Sequence, residues 1–339
     1  MRKIKIIYIL VLVMLLPLQA ADRITNVGTT SASFVEVGVG SRAISMGGAY
    51  VGVADDVSSL YWNPGGLGRI SSGEFIFERI DWLASISFNY FGAVVPLGHY
   101  GTLGAFVKSM SMPLMKVRTL NYPDGTGEKF GASSYSFGLS YGRMLTDRFS
   151  IGANLKYIRE EIWHEQASTF AVDLGIWYQT PLDNLHFGAC ISNYGPEMRL
   201  EGSDLLIYHD PSESKLGNNE RIMGELRTEE WPLPLNVQVG LAYDVFDTRL
   251  FRLTTAVDAF HPINNSEGVN AGGELAFNEN IFLRAGYKSI AQVDSEEGLT
   301  AGMGIRYKLF GQSVIKFDYA YTDFGRLNFT NRYTLRLNF

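Results

Sequence analysis

From about residue 73 to the last residue, apolar and polar side chains alternate with a period of two. This is the pattern of β-strands that turn one face toward apolar surroundings. In the last run, NRYTLRLNF, the apolar side chains share one face: Tyr333, Leu335, Leu337 and Phe339. Fourteen such runs can be counted, over residues 73–80, 84–96, 100–114, 131–145, 148–163, 166–180, 183–193, 232–245, 249–261, 267–278, 280–290, 297–309, 312–323 and 328–339. The chain is therefore predicted to be all-β over most of its length.

The length of the runs and the order of their connections favour a membrane barrel. Many runs reach about ten residues, which exceeds the common globular strand of about five or six and suits a tilted membrane-spanning strand. Short connections follow even-numbered runs, whereas the long ones, residues 115–130 and 195–231, follow odd-numbered runs. Bacterial barrels show this asymmetry when both chain ends lie on the periplasmic side. A soluble β-sandwich, which also alternates, is the alternative. We predict a transmembrane antiparallel outer-membrane β-barrel of about 14 strands over residues 73–339.

The first 20 residues, MRKIKIIYILVLVMLLPLQA, combine three basic residues, an apolar stretch and a small final residue. This predicts a secretory signal peptide over residues 1–20. Its removal would take the formal net charge from −6 to −9, and an acidic chain is a poor nucleic-acid binder. No later run approaches the roughly 18–20 apolar residues of a membrane helix. We therefore expect export to the outer membrane of a Gram-negative-type (diderm) bacterium, with outer-membrane lipid and the barrel-assembly machinery as partners and no nucleic acid.

The polar faces of the runs predict the lining of the lumen, because lipid cannot hydrogen-bond polar groups. The lumen-lining candidates carry charges of both signs: Glu274, Arg284, Arg306, Lys316, Asp318 and Arg336. Trp82, Trp163 and Trp177 suit the aromatic girdles at the membrane interfaces. The last alternating residues resemble the assembly signal of outer-membrane barrels, and they are Tyr333, Leu335, Leu337 and Phe339.

Two short motifs resemble chemical signatures, but their surroundings argue against both. Gly38, Gly40 and Ala43 have the G-x-G-x-x-A spacing of a dinucleotide site, yet more glycine and an all-strand chain follow instead of a βαβ unit. GLSYG, residues 138–142, fits G-x-S-x-G, but Ser140 lies within a strand and not at a strand-to-helix turn. The five histidines lack metal-ligand spacing. We expect no enzymatic activity, no cofactor and no metal site.

Residues 21–72 precede the first run, do not alternate and are rich in glycine. Glycine permits tight turns and close backbone packing, so we expect this segment to fold into the lumen as a hatch, or plug, with short helices. Its central stretch, SRAISMGGAYVGVADDVSSLYWNPGGLG over residues 41–68, contains Asp55, Asp56 and Asn63. Buried carboxylates and amides need partners. Inward arginines can offer charge-assisted hydrogen bonds, and the candidates are Arg284, Arg306 and Arg336.

The same stretch resembles the signature of the PorV/PorQ family of outer-membrane proteins, G-A-R-A-x-x-M-G-G-A-x-V-A-x-A-D-D-x-x-A-x-x-W-N-P-A-G-L. The matching residues are Arg42, Met46, Gly47, Gly48, Ala49, Val51, Ala54, Asp55, Asp56, Trp62, Asn63, Pro64, Gly66 and Leu67. The chain departs from the pattern at Ser41 and Gly65. That family is similar to the FadL-type channels in being a fourteen-stranded barrel with an N-terminal hatch. The resemblance implies that a hatch and gating motif is formed by Arg42, Met46, Gly47, Gly48, Asp55, Asp56, Trp62, Asn63 and Pro64.

The resemblance implies two different functions. FadL-like proteins carry hydrophobic or amphipathic small molecules across the outer membrane and use the hatch as a gate. PorV-like proteins are non-channel accessories of type IX secretion that hold exported protein substrates at the cell surface. The loop of residues 195–231 is polar and acidic, with a cluster of apolar residues from Leu205 to Tyr208. It is expected to lie outside, as a landing site for a ligand, a docking surface for a secreted protein, or a solvated loop.

Overall fold

A computed structural model describes residues 26–209, 221–293, 295–309, 311 and 313–339. The predicted signal peptide lies outside these residues. The described part of the chain contains fourteen long strands: β1 (Glu74–Asp81), β2 (Ser87–Pro96), β3 (Thr102–Ser111), β4 (Ala132–Thr146), β5 (Phe149–Ile162), β6 (Glu165–Gln179), β7 (Leu185–Tyr194), β8 (Asn236–Asp247), β9 (Phe251–Pro262), β10 (Gly268–Phe277), β11 (Ile281–Ile290), β12 (Leu299–Lys308), β13 (Val314–Asp323) and β14 (Phe329–Asn338). Each strand overlaps one predicted run, so the all-β prediction is confirmed.

The strands form one closed antiparallel sheet. Each strand pairs with the next one in the chain, and β1 also pairs with β14. The closing pair runs from Glu74 opposite Asn338 to Asp81 opposite Asn331. No edge of the barrel wall is left open along this seam, which is what lipid requires because it cannot hydrogen-bond a free strand edge. The predicted fourteen-stranded barrel is thus confirmed.

The two faces of the wall differ in polarity. Side chains of β1 alternate between buried and exposed along the whole strand. The outer face exposes large apolar side chains, among them Phe77, Phe91, Leu139, Leu155, Leu283 and Leu335. The inner face buries polar and charged side chains, among them Glu78, Lys108, Asn154, Asp173, Asp258 and Thr300. Apolar outside and polar inside is the arrangement of a barrel that faces lipid.

The connections divide the barrel into two different ends. Connections after even-numbered strands span five residues or fewer, and we call their side the turn end. Connections after odd-numbered strands include the two long ones, residues 112–131 and 195–235, and we call their side the loop end. Within the second long connection, Leu206–His209 and Ile222–Glu225 form a separate two-stranded hairpin.

Residues 26–72, here called the N-terminal segment, lie inside the barrel. The segment contains short helices only: the 3-10 helices Ser33–Glu36 and Pro64–Arg69, and the α-helices Ser41–Ser45 and Ser59–Trp62. Helix Ser41–Ser45 contacts β11 to β14, whereas helix Pro64–Arg69 contacts β3 to β7. An element that touches both sides of a closed wall must occupy the lumen. Among the described residues, no helix is long and apolar enough to cross a membrane.

The N-terminal segment passes through the lumen from the loop end to the turn end. At its start, Asn26 Nδ2 donates to Ile263 O (3.4 Å) and Ser31 N donates to Pro232 O (2.9 Å), and both acceptors lie in loop-end connections. At its other end, Gly73 O accepts from Phe339 N (2.9 Å) at the turn end. The two ends of the barrel, before β1 and after β14, lie together at the turn end, and the described part of the N-terminal segment crosses the lumen once before β1 begins.

Two further sequence predictions need correction. Trp177 is not a girdle residue: it is 3% exposed, and its Nε1 donates to Gly52 O (2.9 Å) inside the barrel. Parity explains this placement, because Trp177 follows Asp173 by four residues and shares its inward face. The second strand begins at Ser87 and not near residue 84, because Leu83–Ser85 forms a tight turn in which Ala84 and Ser85 have positive φ. For Trp177, alternation along the strand predicts the inward side chain correctly, whereas residue type does not. At residues 83–85, a local turn interrupts the strand that alternation predicts.

Candidate functional site

The backbone of the N-terminal segment rests against glycines of the barrel wall. Six inward glycines, here called the glycine seat, have no room for a side chain: Gly142, Gly152, Gly175, Gly188, Gly272 and Gly286. A Cβ at Gly152 would overlap the carbonyl of Pro64, and a Cβ at Gly272 or Gly286 would overlap the backbone of Met46. Only glycine allows two backbones to approach this closely. The backbone of the segment can therefore lie directly against the wall, because the wall has no side chains at these positions.

The segment contributes glycines of its own at the same contacts. Gly47 has φ 71°, and a Cβ there would lie 2.7 Å from the carbonyl oxygens of Ala271 and Tyr287. A Cβ at Gly65 would lie 2.7 Å from the backbone carbon of Ile176. Positive φ and close approach both exclude larger residues at Gly47. The glycines of the segment and of the wall are thus complementary parts of one interface.

A cluster of charged side chains, buried except for the exposed Asp55, joins the segment to the wall. Arg42 is its centre: its Nη1 lies 2.5 Å from Asp55 Oδ1 and 3.0 Å from Asp56 Oδ2, and its Nε lies 2.8 Å from Glu274 Oε2 on β10. Tyr50 OH donates to Asp55 Oδ1 (3.0 Å). One guanidinium thus binds two carboxylates of its own segment and one of the wall.

Two arginines of the wall extend this network. Arg336 binds Asp56 and, through Nη2, Asp318 Oδ2 (2.8 Å). Arg284 binds Glu274 Oε2 through Nε and Asp318 Oδ1 through Nη1, each at 2.7 Å. We call the seven residues the charge cluster: Arg42, Asp55, Asp56, Glu274, Arg284, Asp318 and Arg336. Removing Arg42 would leave Asp55 without an ion-pair partner among the described residues and would take one partner each from Asp56 and Glu274. Loss of a partner inside the lumen costs more than breaking an exposed ion pair.

The charge cluster keeps the aspartates of the segment ionised. Burial favours the neutral acid and would raise the pKa of Asp55, but the Arg42 guanidinium outweighs burial and the pKa lies below its ordinary value. For Asp56, burial acts in the same direction, and Arg336 and Arg42 together hold its pKa well below its ordinary value. Both carboxylates are therefore charged at neutral pH.

Asn63 fastens the segment by backbone contacts instead. Its Nδ2 donates to Val51 O and Ile176 O, each at 2.9 Å, and its Oδ1 accepts from Gly65 N (3.0 Å). Asn63 therefore caps the Pro64–Arg69 helix and also reaches β6 on the wall. All its contacts are to backbone groups, so it needs no arginine.

Three wall carboxylates that the sequence analysis did not single out bind backbone N–H groups of the segment. Asp258 Oδ2 accepts from Tyr50 N (2.7 Å) and Val51 N (2.8 Å). Glu78 Oε2 accepts from Gly40 N (2.7 Å), and Glu74 Oε2 accepts from Val57 N (2.9 Å). Each of the three occupies an alternate position of its strand that faces the lumen. The alternation in the sequence could therefore have identified them as lumen-facing.

Two of the lumen-lining candidates lie outside the charge cluster. Arg306 and Lys316 are half-buried, and within the described residues neither has a carboxylate within 4.0 Å. They oppose each other in register, on the turn-end side of Arg284, whose own opposite residue on β12 is Gly302. Lys316 also lies opposite Arg336, so the three side chains form one row across β12, β13 and β14. Of the three arginines proposed to hold the hatch, only Arg336 contacts it directly.

The remaining hatch-motif residues are buried at the interface. Met46 is fully buried, with its backbone against the glycine seat. Trp62 is 4% exposed, and its Nε1 donates to Val39 O (2.8 Å). Gly48 packs against the same indole, where an added Cβ would lie 3.1 Å from the ring. These residues of the motif thus pack the segment inside the barrel.

The predicted assembly signal lies on the outer face of β14. Tyr333, Leu335 and Phe339 are about half exposed. The Phe339 ring stacks on Phe75 of β1 with a centroid distance of 5.0 Å. The chain end thereby completes the seam between the first and last strands, and its role in assembly stays a prediction.

A cavity of about 250 Å³ lies at the loop end, between the wall and the N-terminal segment. Two β-bulges shape it. In β7, Asn193 has φ 63° and its N donates to Asp173 Oδ1 (2.7 Å). In β11, Ser289 has φ 57° and its N donates to Asn270 Oδ1 (2.8 Å). All four residues line the cavity, and strained non-glycine residues of this kind concentrate at functional sites.

Both bulges also hold charged side chains against the cavity. Lys156 Nζ lies 2.6 Å from Asp173 Oδ1 and also binds Asn193. Lys288 Nζ lies 2.5 Å from Glu297 Oε1, which belongs to the connection before β12. The cavity is therefore walled by long polar side chains, unlike the glycine seat. Among the described residues, no group of three or more histidine, cysteine, aspartate or glutamate side chains could hold a metal ion.

Comparison with solved structures agrees with this architecture. The CymD monoaromatic hydrocarbon channel is similar with a TM-score of 0.55 at 14% identity, over 89% of this chain and 97% of that one. The toluene transporter TodX of Pseudomonas putida has a TM-score of 0.52 at 12% identity, with the same coverage. A FadL homologue of Pseudomonas aeruginosa has a TM-score of 0.50 at 11% identity, over 88% of this chain and 96% of that one.

These similarities identify the fold class. The chain has the fold of the FadL-type outer-membrane barrels, a closed antiparallel barrel of fourteen strands in the described residues. At these identities the likeness shows the fold alone. No protein-family model matches the chain, and no curated protein is similar in sequence. The resemblance to PorV/PorQ proteins therefore stays a prediction.

Proposed function

We propose that the protein is an outer-membrane channel for small hydrophobic or amphipathic molecules, with the N-terminal segment as its hatch. The observation that carries the proposal is the cavity of about 250 Å³ inside the barrel, bounded by the segment. A recess that opens toward one end of a lipid-facing barrel is a place to receive a small molecule. The structural relatives named as hydrocarbon channel and toluene transporter support this choice.

In the proposed orientation the loop end faces the outside and the turn end faces the periplasm. Short turns on the periplasmic side and longer loops outside are the rule for bacterial barrels. A molecule would then enter the cavity from outside and would meet the glycine seat and the charge cluster further in. Passage requires the segment to move or to loosen locally. We propose no enzymatic step.

Uptake by intact cells tests the proposal. A diderm host that lacks its own hydrophobic-compound channels would express the protein and receive a radiolabelled probe, either decanoate or toluene. The expected result is faster uptake than with an empty vector and no increase for a hydrophilic sugar of similar mass. Equal uptake with and without the protein, in cells where the barrel is present in the outer membrane, would reject the channel.

A second function is favoured by one observation, the apolar hairpin at the loop end. Its exposed side chains include Leu206, Ile207, Tyr208, Ile222 and Met223. Such a patch outside the membrane is typical of a protein-docking surface, which is what a secretion accessory protein would need. Deleting residues 206–225 distinguishes the two functions: a channel should retain uptake, whereas an accessory should no longer retain secreted protein at the cell surface.

A further inference from the structure

Lys108 is a buried lysine that faces the cavity, and it has no carboxylate partner among the described residues. It is 2% exposed on β3 and lines the cavity. Its Nζ donates to Val35 O (2.8 Å) and Val37 O (2.7 Å) and lies 4.5 Å from the centroid of the Tyr61 ring. Within the described residues, no carboxylate lies within 4.0 Å of this nitrogen. Two carbonyls and a ring contact the amino group, but none of them supplies the negative charge that would stabilise its protonated form.

The other lysines of the cavity show that this is unusual. Lys156 is paired with Asp173, and Lys288 is paired with Glu297. Glu36 also lines the cavity, but its Oε2 accepts from Asn264 Nδ2 (3.1 Å) and it forms no ion pair with Lys108. Burying a charge without an opposite charge is costly. Lys108 is therefore the cavity group best placed to bind an anion.

Ser136 provides a second, independent polar group at the same place. It lies opposite Lys108 in the β3–β4 pair, so both side chains point to the lumen as neighbours. Ser136 is 1% exposed, and its Oγ has no hydrogen-bond partner among the described residues. Buried hydroxyls are almost always hydrogen-bonded. The register thus places an amino group and an unpartnered hydroxyl on adjacent strands of the cavity wall, as two donors for one anionic group.

The rest of the wall near these donors is aromatic. Tyr61, Trp62, Phe106 and Phe260 all line the cavity. A volume of about 250 Å³ is slightly below the range of about 300–1,000 Å³ that is usual for drug-sized ligands. The ligand must therefore be small and partly apolar, with one anionic group.

We propose that the cavity binds a small aromatic carboxylate, with its carboxylate on Lys108 Nζ and Ser136 Oγ and its ring against the aromatic side chains. This inference rests on the proposed function, because it names the class of molecule that the channel would accept. It differs from a site for neutral hydrocarbon, since the charge of the ligand contributes to recognition. Charge-assisted hydrogen bonds supply both affinity and orientation there.

Calorimetric titration of the purified full chain in detergent tests the proposal, with benzoate and its neutral isostere benzamide as probes at pH 7. Benzoate should bind at least tenfold more tightly than benzamide. Lys108→Met, which keeps the alkyl chain and removes the charge, should abolish this preference by weakening benzoate alone. Ser136→Ala should weaken benzoate severalfold. Lys316→Met is the matched control, because Lys316 is an inner-wall lysine outside the cavity lining, and it should bind both probes like the wild type.

The wild-type comparison needs no variant, so the proposal stays testable even if Lys108→Met folds poorly; Lys108→Arg should then retain the preference. Equal binding of both probes, no binding of either, or normal benzoate binding by folded Lys108→Met would each overturn the proposal. Binding and uptake are separate measurements. Benzoate binding without uptake of any probe would reject the channel and keep the site, whereas uptake of toluene with no preference for benzoate would do the reverse.

Discussion

The glycine seat and the loop-end cavity are two parts of one lumen, and they are built in opposite ways. At the seat, wall positions without side chains let the backbone of the segment lie directly on the wall. At the cavity, lysines, asparagines and aromatic residues hold the segment and the wall apart. Both regions lie on the inward face of the same strands. The size of the inward residue therefore decides where this barrel is closed and where it can hold a ligand.

The two regions also differ in how their charges are balanced. In the charge cluster, every carboxylate has an arginine partner and every arginine binds at least two carboxylates. In the cavity, Lys108 lacks such a partner and Ser136 Oγ has none among the described residues. Satisfied polar networks rigidify a structure, whereas unsatisfied groups mark places where something else binds. We therefore expect substitutions to cost stability at the seat and affinity at the cavity.

Arg42→Met should have the largest effect on stability. It removes the guanidinium that Asp55, Asp56 and Glu274 share, and breaking a buried pair in this way costs on the order of 3–5 kcal/mol. The midpoint of unfolding in guanidinium chloride, followed by the loss of the heat-modifiable band on a gel, measures the change. Arg159→Met is the control, because the Arg159–Glu161 pair is exposed, and it should leave the midpoint nearly unchanged. Equal midpoints for both variants would mean that the cluster does not hold the segment.

Gly272→Ala should come next. A Cβ at Gly272 would overlap the backbone of Met46, and such overpacking costs roughly 1–3 kcal/mol. The neighbouring Gly273 faces the other way, and a Cβ there would lie 3.3 Å or more from its surroundings. Gly273→Ala is thus a matched control, one residue away. A protease should cut the N-terminal segment faster in Gly272→Ala than in the wild type, and at the wild-type rate in Gly273→Ala. Equal cleavage rates in the two variants would show that the glycine seat does not hold the segment.

Acid should have a smaller effect, confined to low pH. The pKa values of Asp55 and Asp56 are lowered in the folded protein. Groups of this kind contribute stability that is fully present above the unfolded value of about 3.9 and is lost as pH falls below it. Digestion of the segment by an acid-active protease should stay constant from pH 7 to 5 and rise only below about pH 4. A rise that begins near pH 6 would show that the aspartates are not held as described.

Ser136→Ala should have the smallest effect on stability, within about 0.5 kcal/mol, because it removes a buried hydroxyl that has no partner to lose. The same unfolding midpoint measures it. A loss above about 1.5 kcal/mol would show that the hydroxyl is engaged in the free protein and would remove the contrast between cavity and seat.

Alternation along the sequence predicted the barrel well because it is a local property of each strand. The run 328–339 became β14, and its inward residues Arg332, Thr334 and Arg336 are all buried. The same rule, applied to Trp177, would have placed it inside with Asp173. The assignment of Trp177 to the aromatic girdle was wrong because it was based on residue type and not on the position of Trp177 in the alternation.

The partners across the lumen could not be read from the sequence. Arg306 and Arg336 carry the same charge on the same face of the wall, yet only Arg336 meets Asp56. Their distances to the segment depend on strand tilt and on the path of the segment, which no local pattern encodes. The bulges at Asn193 and Ser289 could not be predicted from the sequence either, because each inserts one residue that interrupts the alternation. The cavity, which depends on both bulges, is therefore a property of the structure alone.

The conductance of the barrel without residues 41–68 tests most directly whether the glycine seat and charge cluster close the lumen. The intact protein and the deletion variant would be inserted into planar bilayers, after heat modifiability has shown that both barrels are folded. If the seat and the cluster close the lumen, the intact protein will show little or no steady conductance and the deletion variant will show a stable, large conductance. A folded deletion variant that conducts no better than the intact protein would contradict it.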